Sequence, residues 1–463
     1  MKTYHIITIG CQMNKSDSER IAGYLEECGL KFTNERNKAD LVIINTCGVR
    51  QSAEDRVYGL APKIKKENKQ ACPRRQVKLV IAGCLTLRPD VKKRLGNLVD
   101  LWLPIVDLPK LADFLHLKNN QDKYDYYLKI QPKYESNFTA YVPIGNGCNN
   151  FCTYCVVPAA RGKEIYRPAE EILAEVKYLV NKGYKEITLI AQNVNSYFCH
   201  CEDPASAGDV AISRTLHGTT RSPRSLRSLA MTANKKVDFS DLLKMVNDIP
   251  GKFWIRFATS HPKDMNDKLI KTIANCEKAC HHIHLPVQSG NNKILRAMNR
   301  NYTVEHYVQL IKKIRQAMPD VAITTDVIVG FPGETKKQFL DTVKLFKIIK
   351  FDMAYIAQYS ARPDTTAAKL VDNVSKPEKK SRAGELTKVL QQSALANNKK
   401  YVGKETIVLI NGKARSGDWQ GYTRTYKNVK IKSTSKNNLV NQFRRVKIER
   451  AYDFGLSGIL VKK

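Results

Sequence analysis

Apolar residues recur as a repeated unit along the first hundred residues. Three short β-rich runs, Ile6–Cys11, Leu41–Cys47 and Leu79–Cys84, each end in a cysteine and lead into an amphipathic segment. Their continuous apolar character suits strands of a parallel sheet buried on both faces. After the first run, Ser16 and Glu19 read as a capping box opening a helix, with Ile21, Tyr24, Leu25 and Cys28 at helical spacing. The pattern predicts an N-terminal doubly wound parallel α/β domain over 1–125, its end (about 105–135) shading into a polar, tyrosine-rich linker. Six further strand-like runs then alternate with helical stretches. They lie near Ala140–Ile144, Glu186–Gln192, Trp254–Thr259, His281–Val287, Ala322–Val329 and Met353–Ser360. A helix is expected over Pro168–Lys182, with Pro168 at its start and Ile172, Val176, Leu179 and Val180 on one face. Six alternations predict a partial (β/α)6 barrel over 136–370 with its site at the C-terminal mouth. A charged helical connector over 376–400 follows. The runs Glu405–Ile410, Asn428–Ser433 and Arg445–Arg450 then predict a small all-β barrel over 401–463.

One stretch breaks the alternation. Residues 199–236 have no aromatic side chain and are rich in Ser, Arg, Thr and Ala, which predicts a disordered surface insertion. Cys199-His200-Cys201 at its start reads as an exposed loop rather than a metal site.

Composition narrows the class. The chain has 463 residues, 43% of them hydrophobic, enough for about three domains with real cores. No run approaches the roughly 18 apolar residues of a membrane span, and the N-terminal apolar run is too short for a secretory signal. A monomer in a reducing cytoplasm, off the membrane, is expected; there, clustered cysteines bind metal or do catalysis rather than form disulfides. The net charge is +33, from 77 basic and 44 acidic residues. Such an excess favours a polyanion such as nucleic acid as partner, although it also fits a charge that only aids solubility. Residues 401–463 hold 14 basic and 4 acidic residues, interleaved with Trp419, Tyr422, Tyr426 and Phe443. That mixture suits unpaired RNA, gripped by phosphate contact and base stacking; the alternative puts the rings in the barrel core.

The chemistry centres on Cys148, Cys152 and Cys155, spaced C-x3-C-x2-C just after the first barrel strand. Three thiolates hold three irons of a cubane 4Fe-4S cluster and leave the fourth open for a ligand. The alternative is zinc, but zinc sites usually come as two C-x2-C pairs and no second pair is in register. Open parallel sheets gather functional groups at the carboxyl ends of their strands, so Cys11, Cys47 and Cys84 would converge into a second trio; three independent core cysteines are the alternative. Gln192, Asn193, Ser260, Gln288 and Asp326 sit at or near barrel strand ends as candidate cofactor contacts, each also able to cap a helix or tie a loop. Arg256 and Arg362 could pair with a carboxylate or phosphate, and Arg256 joins the candidate cofactor contacts on that ground. Cys276, Cys280, His281, His282 and His284 read as packing rather than ligation. Cys28 belongs to its helix's apolar face, and Cys72 has no evident partner.

The spacing Cys148-x3-Cys152-x2-Cys155, with Tyr154 before the last cysteine, resembles the radical S-adenosylmethionine superfamily. Further segments resemble its methylthiotransferases. They are Gly10–Asn14 with Ser16–Glu19, Asn45–Cys47 with Val49-Arg50 and Ala53-Glu54, Gly83-Cys84, Val156–Pro158 with Arg161-Gly162, Gln192–Tyr197, Thr259–Pro262, His284–Gly290 and Gly330–Thr335. The resemblance covers nearly the whole chain apart from 199–236. It implies two 4Fe-4S clusters: one on Cys148, Cys152 and Cys155 that binds S-adenosylmethionine, and an auxiliary one on Cys11, Cys47 and Cys84. It also implies a C-terminal barrel of the RNA-binding TRAM kind and methylthiolation at C2 of an isopentenylated adenosine in the anticodon stem-loop of tRNA. An electron donor and a sulfur source are implied as further partners. Sister families act on threonylcarbamoyl adenosine or on a ribosomal-protein aspartate. Gln12-Met13-Asn14, Val49-Arg50 and the basic barrel favour the isopentenyl branch. Two departures are Leu85-Thr86-Leu87 after Cys84, and Ala361 and Asp364 in Tyr359–Thr365. The competing class is a non-catalytic iron–sulfur protein that binds RNA or carries electrons.

Overall fold

The computed structural model describes residues 1–49, 51–71, 76–116, 124–200, 236–433 and 437–461. Arg50, Cys72, Cys201 and the interior of the expected insertion lie outside them.

Five parallel strands open the chain: β1 (Thr3–Ile9), β2 (Lys31–Phe32), β3 (Leu41–Thr46), β4 (Lys78–Gly83) and β5 (Leu101–Leu103), in spatial order β2-β1-β3-β4-β5. The central β3 is buried at every position, as its unbroken apolar run requires. Helix α1 (Gln12–Glu27) packs Ile21, Tyr24 and Leu25 on Tyr4, Leu41 and Ile43. Helix α2 (Gln51–Ala71) packs Val57 and Ile64 with Val42 and Ile44, the alternate positions of the same strand. The sheet is therefore covered on both faces. The first helix starts earlier than expected. Cys11 is its N-cap residue, and its backbone N–H donates to Asn14 Oδ1 at 3.3 Å. Ser16 lies inside the helix and donates to the Tyr141 carbonyl instead. Cysteine is not a favoured cap residue, so the capping rule pointed to Ser16 instead of Cys11.

The tyrosine-rich stretch before the barrel is not a loose linker. Leu108, Leu111, Leu115, Tyr127, Leu128 and Ile130 join the N-terminal core. Tyr124, Tyr126 and Tyr134 place their hydroxyls on Glu27, Glu171 and Glu175. Amphipathic rings satisfy both an apolar packing surface and a carboxylate, which a polarity count misses.

The barrel strands are β6 (Thr139–Pro143), β7 (Glu186–Ile190), β8 (Trp254–Ala258), β9 (His282–His284), β10 (Ala322–Val329) and β11 (Met353–Gln358). They form two parallel three-stranded ladders, joined between β8 and the approach to β9 by a bridge at Ile255 and Ala279. Helices α3 (Val157–Arg161) and α4 (Ala169–Asn181) follow β6; α4 buries Ile172, Val176 and Leu179 in the main core. The barrel is open between β6 and β11, and the N-terminal layer reaches both edges. Ser16 of α1 meets Tyr141 of β6, and Arg362, beyond β11, bonds Gln51 at 2.8 Å and Glu54 at 3.3 Å in α2. After β7, Phe198–His200 pairs antiparallel with Lys236–Asp238.

Helix α5 (Lys376–Lys399) is the expected connector. Its Arg382 pairs with Glu334 at 2.8 Å, and Leu386 and Leu390 enter the main core. Strands β12 (Glu405–Lys413), β13 (Trp419–Thr423), β14 (Asn428–Lys432), β15 (Phe443–Tyr452) and β16 (Gly455–Leu460) close into a barrel ordered β12-β13-β14-β16-β15. The sequence reading missed β13 and β16, which carry Gly421, Gly455 and Gly458. Gly458 is required by close approach: a Cβ there would stand 2.1 Å from the Lys447 carbonyl oxygen.

This barrel docks against the N-terminal ends of the large barrel's strands. Trp254 meets Phe443 at 4.8 Å between ring centroids, and Tyr426 is stacked between His282 at 4.9 Å and Tyr422 at 4.7 Å. Lys427 pairs with Asp352 at 2.6 Å, and Arg424 donates to the Ala279 carbonyl at 2.7 Å. Trp419 is core, 6% exposed. The four aromatics expected to stack on RNA therefore hold the small barrel together and fasten it down. No helix among the described residues is long and apolar enough to cross a membrane.

Candidate functional site: two cysteine trios at one mouth

Register brings the first trio together. Ile9 pairs with Thr46 and Thr46 with Gly83. The next residues continue the ladder, Cys47 N–H donating to the Ile9 carbonyl and Cys84 N–H to the Thr46 carbonyl, both at 2.9 Å. Asn14 and Asn45 exchange hydrogen bonds beneath Cys11, including Asn45 Nδ2 to the Asn14 carbonyl at 2.8 Å. Gly48 lies flat on Cys84; a Cβ there would come within 2.7 Å of the Cys84 carbonyl oxygen. Cys11 is exposed, while Cys47 and Cys84 are buried.

The second trio sits on the loop after β6. Phe151 adopts a left-handed backbone, φ 47°, which folds the loop back on itself. Asn299 donates to the Phe151 carbonyl at 3.0 Å, Thr153 N–H to the Met298 carbonyl at 3.1 Å, and Ala367 N–H to the Thr153 carbonyl at 2.8 Å. Each thiol has an N–H donor: Asn150 Nδ2 on Cys148 at 3.4 Å, Arg300 on Cys152 at 3.5 Å, and Val157 N–H on Cys155 at 3.5 Å. Burial pushes the Cys148 thiol up and the Cys155 thiol up to about 12, the neighbouring Cys152, Cys148 and Cys84 adding to the latter. As bare thiols they hold their protons; a cation that ligates them would displace those protons.

The trios are linked through the end of α3: Arg161, its last residue, reaches the first, and the carbonyl of the following Gly162 accepts from Cys148 N–H at 3.3 Å. Arg161 Nε stands 3.3 Å from Cys84 Sγ, while its other nitrogens bond Asp17 at 2.6 Å and Asn146 at 2.9 Å. Among the described residues no three Cys, His, Asp or Glu side chains are grouped as ligands of one metal ion. A cubane asks for something different, since each thiolate holds its own iron. Paired thiols ringed by N–H donors fit that group, because such donors stabilise charge on sulfur.

The mouth also fits a polar ligand. Gln192, Asn193 and Ser260 lie just beyond β7 and β8, and Gln192 Oε1, Asn193 Oδ1 and Ser260 Oγ are buried without a hydrogen-bond partner among the described residues. Asn193 Nδ2 is held by Asp264 at 2.7 Å, which aims its oxygen elsewhere. Thr259 at φ 72° and Gln288 at φ 66° carry left-handed strain at the ends of β8 and the β9 segment, of the sort that clusters at binding sites. Asp326 sits deeper, on β10, 3.4 Å from His284 Nε2. Arg256 is not at the mouth. It bonds Glu186 at 2.6 Å and the Thr423 carbonyl at 2.8 Å, under the ring of Tyr426. The expectation of a cofactor contact is corrected: this arginine fastens the small barrel. Arg362 pairs with a carboxylate as expected, that of Glu54. Cys276 and Cys280 are core, and His282 and His284 share Thr324 Oγ1 at 3.0 Å each.

Sequence reasoning gave no role to Arg161, Arg300 or His261. Arg300 also bonds the Pro286 carbonyl and Tyr302. His261 accepts from Lys263 N–H, and burial, then Arg300 and Lys263, push its pKa down to about 2. Arg161 and His261 fall in segments that carry the family resemblance, but the contacts of Arg161 and Arg300 with cysteines are set by residues 77 and 148 positions away.

Three family models match: the Radical SAM superfamily over 142–346, Uncharacterized protein family UPF0004 over 3–103 and the TRAM domain over 399–461. The chain is 38% identical over 471 residues to the tRNA-2-methylthio-N(6)-dimethylallyladenosine synthase of Thermoanaerobacter pseudethanolicus, covering 99% of this chain and 93% of the relative. It is 39% identical over 476 residues to the protein of that name from Clostridium botulinum, covering 98% and 96%. Among solved structures it is similar to the radical S-adenosylmethionine methyltransferase TsrM from Kitasatospora setae, with TM-score 0.54, 12% identity, and 80% and 75% of the two chains covered. That last likeness concerns the fold alone.

Proposed function

The chain belongs to the radical S-adenosylmethionine methylthiotransferases, and we propose that it places a methylthio group on C2 of an N6-isopentenylated adenosine next to the anticodon of tRNA. The observation that carries this reading is the link between Cys84 and the loop of Cys148, Cys152 and Cys155: Arg161 reaches Cys84 Sγ at 3.3 Å, and the next residue, Gly162, accepts from Cys148 N–H at 3.3 Å. A sulfur-bearing centre and a radical-generating centre must face one substrate carbon. Acid–base side chains cannot remove hydrogen from that unactivated carbon; S-adenosylmethionine and two 4Fe-4S clusters supply that chemistry when bound.

The residues provide ligation, position and dryness. Cys148, Cys152 and Cys155 would hold the cluster that binds S-adenosylmethionine. Cys11, Cys47 and Cys84 would hold the auxiliary cluster. Gln192 and Asn193 would offer oxygens to the ammonium and ribose hydroxyls of S-adenosylmethionine, flanked by Ser260 and Gln288. Asp326, braced by His284, lines the interior below. Arg300, held by Tyr302 and the Pro286 carbonyl, sets its charge 3.5 Å from Cys152 Sγ. The small barrel binds the RNA. A monomer working in the cytoplasm with a separate electron donor and sulfur source completes the reading.

The test is anaerobic turnover of reconstituted protein on tRNA bearing isopentenyl adenosine, read by mass spectrometry of nucleosides. A methylthio product supports the reading. Modification only of threonylcarbamoyl-tRNA or of a ribosomal protein overturns the substrate, and absence of S-adenosylmethionine cleavage overturns the chemistry.

A further inference from the structure

Arg300 reaches Cys152 from the end of a short helix, Asn292–Ala297. Asn299 adopts a left-handed backbone there, φ 55°. Its N–H donates to the Arg296 carbonyl at 3.0 Å, and the Arg300 N–H to the Leu295 carbonyl at 2.9 Å. This pair of bonds is the Schellman closure of a helix, in which asparagine tolerates the left-handed position. The Asn299 side chain also donates to the Asn150 and Phe151 carbonyls of the cysteine loop. One helix end therefore grips the loop and delivers the next side chain to its middle thiol. The Arg300 guanidinium is fixed by three bonds: Nη2 to the Pro286 carbonyl at 2.9 Å, Nε to the Tyr302 hydroxyl at 3.0 Å and Nη1 to Cys152 Sγ at 3.5 Å. The residue is only 7% exposed.

Its charge is not offset. Among the described residues Arg300 has no carboxylate partner, whereas Arg161, the arginine on Cys84, carries Asp17 with it at 2.6 Å. Cys148 and Cys155 receive neutral donors, Asn150 Nδ2 and Val157 N–H, while Cys152 receives a cationic one. The acid nearest this trio in effect, Glu164, bears on Cys148 and is bonded by the Ser196 hydroxyl.

We infer that Arg300 is a positioning residue that raises the reduction potential of the cluster on Cys148, Cys152 and Cys155. The inference rests on that trio holding a 4Fe-4S cluster, and adds which side chain tunes it. Net charge and hydrogen bonds at the sulfurs set such potentials. One electron enters the cluster from a one-electron donor, and part of its charge falls on the sulfurs. A buried cation within hydrogen-bond reach stabilises that charge with little screening. A guanidinium cannot shed its proton, and three bonds keep it from swinging away. The loop cluster therefore accepts its electron from a milder donor than the thiolates alone would allow.

The test is a potentiometric titration of reconstituted protein followed by EPR, with iron content and melting temperature measured on each variant. The signal altered by added S-adenosylmethionine identifies the loop cluster. In Arg300→Met the ratio of reduced to oxidised loop cluster at a fixed potential should fall at least about tenfold, a midpoint about 59 mV lower. Arg300→Lys keeps the charge and should return most of the shift. Tyr302→Phe, which loosens the guanidinium, should fall between. The auxiliary cluster's ratio should change less than about twofold throughout. An unchanged midpoint in Arg300→Met at full iron content overturns the inference, as does a shift that Arg300→Lys fails to reverse or that both clusters share equally. Should Arg300→Met lose the loop's iron, wild-type midpoints in Arg300→Lys and Tyr302→Phe together would overturn it and leave Arg300 a structural clamp, whereas an intermediate midpoint in Tyr302→Phe upholds it. If S-adenosylmethionine alters no signal of wild type, the functional reading falls, and the effect of Arg300 is still read in Cys84→Ala protein, which carries the loop cluster alone.

Discussion

Arg161 Nε lies 3.3 Å from Cys84 Sγ although 77 residues separate them. The same guanidinium closes a fully buried ion pair with Asp17 at 2.6 Å. One side chain thus keys the loop of one trio to the sheet end of the other. Replacing it with methionine strands the Asp17 carboxylate in the interior, which costs about 3–5 kcal/mol. Urea midpoints of Arg161→Met should show that loss. Adding Asp17→Leu should recover part of it, and Arg161→Lys should fall between, keeping the charge without the planar fork.

The two trios are separable by iron count. Reconstituted wild type should hold about eight irons, and Cys152→Ala about four, with no cleavage of S-adenosylmethionine. Cys84→Ala should also fall to about four but still cleave it. Iron analysis with a 5′-deoxyadenosine assay decides. Cleavage surviving in Cys152→Ala would remove the assignment of that loop.

Gln192 and Arg256 make opposite demands. Gln192→Leu removes an orphaned oxygen at the mouth and should weaken S-adenosylmethionine binding about tenfold, the worth of one good hydrogen bond. Arg256→Leu should leave that affinity within about twofold. It should instead destabilise the chain by about 3 kcal/mol by abandoning Glu186, and open the small barrel to limited proteolysis. Equilibrium dialysis and a protease time course distinguish the two.

Glu19 gives a pH signature away from the cysteines. Burial pushes its pKa from 4.5 up to about 7, against the pull of the Glu135 backbone N–H and Arg20 and with the push of Glu135 and Glu175. The folded state therefore binds a proton that the unfolded chain has released between those values. The stability it contributes is full below about pH 4.5 and is lost as pH rises through 7, by about 3 kcal/mol at most. Unfolding free energy of wild type should fall between pH 5 and 8 more steeply than that of Glu19→Gln. Equal slopes would refute it.

Much of this architecture was readable because its signals are local. Each strand run ending in cysteine carries its own apolar continuity, so Cys11, Cys47 and Cys84 could be placed on one edge without knowing the pairing. The barrel strands lie within a few residues of their expected ends for the same reason. What escaped depends on distant partners. The role of Arg256 is set by carbonyls 167 and 168 residues away, and that of Arg300 by a thiol 148 residues away. Trp419, Tyr422, Tyr426 and Phe443 looked like an RNA platform because composition cannot tell an aromatic that faces solvent from one that faces another domain. Tyr127 was read as linker because its burial is created by Asp17 and the N-terminal core.

The antiparallel pairing of Phe198–His200 with Lys236–Asp238 brings the chain back to where it left. The two ends therefore stand one strand spacing apart, at the close of the β7 segment. A two-residue Asn-Gly turn should join His200 to Lys236 directly, which makes this the natural place to shorten the protein or to graft a reporter onto it.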